Sequence, residues 1–349
     1  MTLIRIAKAS WDGGLEKARK AYELIGPVPE KDSHKYAVLA EGQLPDMGFK
    51  NTKLSPKWVV FPQSEAMFTY TLDGTKENHH ILQEVPAAPG ARAVIGIRPY
   101  DAKAIQLTKM NFDNKDYKDP FWLRNYERCT FVGLAINAPS ATDFSTSCGT
   151  GPFAEEGLDV LLVDAGEVYI AKVLTEKGKK FLDAAGFGED AGADAAKTVE
   201  DLKAKAEAAI TSKVSYNKIQ GKTIMDLYDA PFWKDVLFGC INCGTCTYAC
   251  PTCWCFDIQD EVKGTDGVRV RNWDSCMTAL FTHHASGHNP REHEWERTRQ
   301  RFMHKLKYFL DKYDAGLMCV GCGRCVEQCP ANIDIRTVCN TMNAFEPGK

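Results

Sequence analysis

Two stretches, CINCGTCTYACPTCWC at 240–255 and CVGCGRCVEQCP at 319–330, constrain this chain more than any other feature. Both carry the spacing C-x2-C-x2-C-x3-C with a proline directly after. The first is Cys240, Cys243, Cys246, Cys250 and Pro251, and the second is Cys319, Cys322, Cys325, Cys329 and Pro330. That run is the ligand pattern of two-cluster bacterial ferredoxins. Three thiolates at x2 steps let a tight loop wrap one face of a cubane while backbone N–H groups point at its sulfurs. Gly244 and Gly323 leave room where the loop comes close. The fourth cysteine heads in another direction, and the proline after it turns the chain.

In two-cluster proteins that fourth cysteine ligates the other cluster. The expected assignment is therefore crossed. Cys240, Cys243, Cys246 and Cys329 hold one [4Fe-4S] centre, and Cys319, Cys322, Cys325 and Cys250 hold the second. The competing reading is a pair of zinc sites built from C-x2-C pairs. It suits neither three cysteines at x2 steps nor the Cys-Pro ending.

Of the fourteen cysteines, only Cys129 and Cys148 precede residue 240, and the other twelve lie in the last 110 positions. Disulfides would not gather this way in a chain without a secretory signal, whereas metal ligands would. The start, MTLIRIAKASWDGG, has no apolar core or small-residue cleavage pattern and reads as a mature cytoplasmic N-terminus. No apolar run reaches the roughly 18 residues of a spanning helix. A formal net charge of -3 gives no general attraction to nucleic acid or to an anionic membrane.

The first half alternates short apolar runs with helical patterns. WVVFP (58–62), ARAVIGI (91–97), TFVGLAI (130–136) and DVLLVDA (159–165) read as strands, and VYIAKVL (168–174) follows across a Gly166 turn as a hairpin. DAKAIQLTKM (101–110) reads as a helix, and 176–213 as a helix, a glycine-rich loop and a second, solvated helix. This predicts an α/β N-terminal domain over 1–215. Residues 216–349 are predicted to form a mostly helical, ferredoxin-like two-cluster domain with no clear strand alternation beyond Asp235. The two runs are 68 residues apart, from Pro251 to Met318. TRQRFMHKLKYFLDKYDAG (298–316) reads as an amphipathic helix, with Phe302, Leu306, Phe309 and Leu310 on one face and Gly316 as its cap.

Several features remain outside the two runs. Cys253, Cys255, Cys276 and Cys339 could in number hold a third cluster. C-x-C strains to reach separate irons, so they are read as thiols packed beside the clusters. Cys129 and Cys148 are read as buried small hydrophobes. Five of the eight histidines fall at 283–304 with no ligand spacing, and they read as a polar helical surface with His304 packed near the clusters. GTGPFAEEG and GFGEDAG lack the dinucleotide fingerprint, and no Walker loop or hydrolytic triad is present.

CPTCWCFDIQDEV (250–262), WDSCM (273–277), SGHNPR (286–291), RQRFMHK (299–305) and CVGCGRC (319–325) together resemble one family. It contains the β subunit of soluble sulfhydrogenases, the A subunit of anaerobic sulfite reductase, and the iron–sulfur subunits of flavin oxidoreductases that feed heterodisulfide reductase. FPQSEAMF (61–68), GIRPYDAKAI (96–105) and SCGTGP (147–152) extend the resemblance over most of the chain. The family often has cysteine where this chain has Tyr100, and C-F-C where it has Asp143, Phe144 and Ser145, so a metal site built there does not carry over. The resemblance implies an electron-transfer subunit in a hetero-oligomer, between a flavoprotein NAD(P)H-oxidising subunit and a terminal reductase or hydrogenase. The alternative is a catalytic, flavin-containing iron–sulfur oxidoreductase with its own substrate site in the N-terminal domain. A third reading is a scaffold with structural clusters.

Overall fold

The apolar runs of the first half assemble into one large sheet. The computed structural model describes residues 2–348. Its strands are β1 (Thr2–Ala7), β2 (Tyr22–Glu30), β3 (Ser33–Val38), β4 (Ser64–Thr71), β5 (Gln83–Glu84), β6 (Ala91–Ile97), β7 (Cys129–Leu134), β8 (Val160–Asp164), β9 (Val168–Val173), β10 (Glu189–Asp190), β11 (Phe256–Lys263) and β12 (Asp266–Trp273). The large sheet has the order β10-β1-β9-β8-β7-β6-β2-β3. Its centre, β2, β6, β7 and β8, is parallel, and both edges are antiparallel. All of β7 is buried, as expected of a parallel strand covered on both faces. Helix Pro99–Phe112 connects the parallel pair β6 and β7. Gly166, at φ 85°, makes the turn between β8 and β9. Helices Glu176–Ala185 and Ala195–Ala209 occupy the stretch read that way.

Three expectations are corrected. WVVFP is not a strand: Pro56–Val59 forms a short 3-10 helix in which Pro56 and Val59 are buried and Trp58 is half-buried. Prolines at 56 and 62 bracket the run and remove ladder donors at both ends. The cysteine-rich half is not mostly helical, because β11 and β12 form a long antiparallel hairpin there. It joins β4 and β5 in a second sheet of order β11-β12-β4-β5, which draws strands from both sides of residue 215. Finally, the helix read at 298–316 begins earlier and changes pitch. Glu294–Met303 is α-helical, His304–Tyr308 is a π turn, and Phe309–Tyr313 is α-helical again. Asp314, not Gly316, takes the left-handed cap, at φ 47°. Phe302, Leu306, Phe309 and Leu310 are all buried, so the apolar face was read correctly.

The second cysteine run packs on the carboxyl ends of β6 and β7, where open α/β sheets place their sites. Phe144, in the loop after β7, donates its N–H to the Gly321 carbonyl at 2.9 Å. A Cβ on Gly321 would lie 2.5 Å from the Ser145 backbone, and one on Gly323 would lie 2.7 Å from the Thr142 carbonyl. Arg324, fully buried, forks onto Asp101 at 2.6 and 2.7 Å and also donates to the Thr52 carbonyl at 2.8 Å.

Candidate metal centre

The two cysteine runs share one backbone design. Asn242 and Gly244 have φ 52° and 75°, and the equivalent Gly321 and Gly323 have φ 68° and 75°. Left-handed residues at alternate positions turn successive N–H groups towards one side, which suits an anionic group. Asn is among the few side chains that tolerate this conformation. Its amide here donates to Cys240 Sγ at 3.6 Å and its Oδ1 accepts from Arg297 Nε at 3.1 Å. Each run then enters a one-turn helix, Thr245–Tyr248 or Arg324–Glu327, and these two turns pack against each other.

The packing brings cysteines from the two runs together. One cavity is lined by Cys240, Cys243 and Cys246 from the first run and by Cys329 from the second. Cys250, the fourth cysteine of the first run, lies close enough to act electrostatically on each of Cys319, Cys322 and Cys325. It also acts on Cys246, so the two sets abut. Burial pushes the Cys325 thiol up to about 12 and the Cys322 thiol well above its ordinary value. Thiolates at these positions need a positive partner, which metal ligation supplies. Among the described residues, no three His, Cys, Asp or Glu side chains close tightly enough to hold a single ion.

Three buried cations converge on the thiols. Lys57 donates to the Cys250 and Cys253 carbonyls at 3.0 and 2.9 Å and lies 4.1 Å over the Trp273 ring. Lys305 donates to the Thr252 carbonyl and hydroxyl at 2.7 and 2.8 Å. Arg301 faces Cys246, Cys325, Cys253 and Cys250, and its Nε is buried without a hydrogen-bond partner. None of the three has a carboxylate within ion-pair distance among the described residues. Buried charge without a counterion costs several kcal/mol. A cubane carried by four thiolates is an anion, so the donor set, the orphaned Arg301 Nε and the surplus positive charge all fit two such clusters. When bound, each supplies one-electron exchange. The chain's own groups hold the thiolates, turn N–H groups inward and offset the negative charge.

The remaining cysteines separate into three kinds. Cys129, the first residue of β7, is buried and donates to the Asn125 carbonyl at 3.3 Å, in keeping with a packing role. Cys148 is also buried, in the core against which Cys319 packs, in keeping with a packing role, and the neighbouring Cys319 pushes its thiol up. Cys339 packs in the small core beneath the second run and donates to the Ser215 carbonyl at 3.6 Å. Cys253, Cys255 and Cys276 line a single cavity with His304. The other four late histidines are exposed, and His283, His284 and His288 lie outside helices rather than on a helical surface. Lys57, Arg301 and Lys305 were not singled out from sequence. The i, i+4 spacing of Arg301 and Lys305 was a readable signal that both share one helix face.

Residues 239–333 match the family model described as a 4Fe-4S dicluster domain. The chain is 29% identical to the sulfhydrogenase 2 subunit beta of Pyrococcus furiosus over 322 residues, 91% of each chain. No solved structure matches it. No helix among the described residues is long and apolar enough to cross a membrane. The likeness along both halves, together with the doubled cysteine design and the dicluster match, supports an iron–sulfur electron-transfer role in an oxidoreductase complex.

Proposed function

We propose that this chain is a wire of two [4Fe-4S] clusters in a hetero-oligomeric oxidoreductase complex. It passes single electrons between a flavoprotein subunit that oxidises NAD(P)H and a terminal reductase or hydrogenase, and it works in the cytoplasm. Cys240, Cys243, Cys246 and Cys329 hold one cluster, and Cys319, Cys322, Cys325 and Cys250 hold the other. The observation that supports this reading is that Cys329 lines the cavity of the first three cysteines, while Cys250 lies within electrostatic reach of Cys319, Cys322 and Cys325. Crossed ligands tie two clusters into one rigid unit, which suits electron passage between them. The N-terminal sheet, 1–215, is the surface on which partners dock. Its supporting feature is the buried Arg324–Asp101 pair, which fixes the second cluster loop to that sheet.

The test is elemental analysis of protein prepared anaerobically. Two cubanes require about eight irons and about eight labile sulfides per chain. A value near four removes one cluster, and stoichiometric zinc without iron contradicts the proposal.

A further inference from the structure

The first cysteine loop leaves an apolar face open to solvent. Cys243 is the one exposed cysteine of the fourteen. Phe238, Leu280 and Ile241 are the three most exposed large apolar side chains among the described residues, at 91%, 83% and 63%. Single apolar residues scattered over a surface are ordinary, but three gathered about one exposed thiol are not. Phe238 and Ile241 flank Cys240 in the chain. Ile241 and Cys243 line the cavity that Cys240, Cys246 and Cys329 also line. Leu280 arrives from another segment. Arg297 Nε donates to both Asn242 Oδ1 and the Met277 carbonyl, each at 3.1 Å, and so holds the segment bearing Leu280 beside the loop.

The rim of this face is acidic. The Asp235 carbonyl accepts from the Phe238 N–H at 3.3 Å, the Glu294 carbonyl from Asn242 Nδ2 at 3.2 Å, and the Glu292 carbonyl from Arg297 at 2.8 Å. All three residues are exposed, and among the described residues none of their carboxylates has a cation within ion-pair distance. Lys234, an exposed cation of the same turn as Phe238, lies 5.6 Å over the Trp295 ring. Three carboxylates against one ammonium leave the rim negative, which draws lysine and arginine to it. A second copy of this chain, docked face to face, would set the same acids against one another.

We propose that the face formed by Phe238, Ile241 and Leu280 around Cys243 docks a redox protein whose one-electron centre lies behind an apolar surface ringed by lysine and arginine. The proposal rests on the two-cluster reading above and gives the wire a second end, since it is the second cysteine loop that Arg324 ties to the N-terminal sheet. One electron crosses at a time. The cluster of the first loop changes by one electron and the partner's centre by one in the opposite sense, with no bond made or broken and no proton moved. The apolar centre excludes water from the contact, and the acidic rim steers the partner onto it. Electron-transfer contacts are among the smaller interfaces, and a small apolar patch with a charged rim suits one.

The test uses the complex that co-purifies with the full chain under strict anaerobiosis, with Phe238 replaced by the photoreactive p-benzoylphenylalanine. Light should link this position to a subunit that carries a redox centre of its own, at a segment holding lysine or arginine. The double variant Asp235→Asn with Glu294→Gln should slow electron exchange between the chain's clusters and that subunit about tenfold at low salt. The difference should vanish near 1 M salt, where the Debye length is about 3 Å. Iron should stay at about eight per chain in every sample. A link to a second copy of this chain, to a subunit without a redox centre, or to nothing overturns the proposal. So do equal rates at low salt. An iron content near four, or zinc in its place, fails the two-cluster reading instead, and the link then decides on the face by itself.

Discussion

Replacing Asp101 by alanine strips the Arg324 guanidinium of its carboxylate while leaving it buried. The pair is bidentate, at 2.6 and 2.7 Å, and the two side chains are 0% and 1% exposed. After the change Arg324 keeps hydrogen bonds only to Thr52. Removing one partner of a buried ion pair costs about 3–5 kcal/mol, because the survivor stays desolvated and uncompensated. At 1.36 kcal/mol per decade, that opens the contact between the sheet and the second cysteine run roughly two to three and a half orders of magnitude more often. Amide hydrogen exchange reads this directly at Phe144, whose N–H is bonded to the Gly321 carbonyl across the contact. Its protection should fall by that factor, while amides in β8 should change far less. The double variant Asp101→Leu with Arg324→Met replaces the pair by apolar side chains and should recover most of the protection. If Asp101→Ala leaves Phe144 protected within a factor of about five, under 1 kcal/mol, the buried pair does not hold the module to the sheet.

Two further outcomes follow from the site. The purified chain alone should not be reduced by NADH or NADPH, and should become reducible only with a flavoprotein, since a nicotinamide delivers a hydride whereas a cubane accepts one electron. Rapid NADH-dependent bleaching of the chain by itself would favour the catalytic alternative. His304 is held down to about 4 by burial, with Lys305 and Arg291 adding to the effect. A lowered histidine binds its proton more readily when unfolded, so stability should be complete above pH 6.5 and fall as pH drops from 6.5 to 4, by up to about 3 kcal/mol. Denaturation across that range should show a shallower slope in His304→Gln, and an unchanged slope would contradict the assignment.

The central strands were legible because parallel strands buried on both faces read as unbroken apolar runs, and VIGI and FVGL are such runs. The two cysteine loops were legible because each repeats one spacing within a single short stretch, and the left-handed backbone at Asn242, Gly244, Gly321 and Gly323 follows that repeat. The β11–β12 hairpin was passed over although FDIQDEV alternates Phe256, Ile258 and Val262 with polar residues. Neighbouring cysteines drew the reading towards helices, and β11 is mostly exposed, so its apolar content is low. WVVFP misled in the opposite sense, since its burial comes from tertiary packing and not from a ladder. The buried cations could not be read as part of the site from sequence. Lys57 comes from the 3-10 helix of the first half, and only the folded chain brings it within 3.0 Å of the Cys250 carbonyl. The packing of Cys319 against the core that holds Cys148 has the same origin, a loop after β7 pressed against Gly321.

The central claim is that two clusters share ligands across the two runs. Electron paramagnetic resonance of the reduced protein, compared among Cys243→Ser, Cys250→Ser and Cys322→Ser, tests it most directly. The crossed arrangement predicts that Cys250→Ser alters the same signal as Cys322→Ser and leaves the Cys243→Ser signal largely intact. If Cys250→Ser and Cys243→Ser abolish one and the same signal, each run holds its own cluster and the crossed wire is wrong.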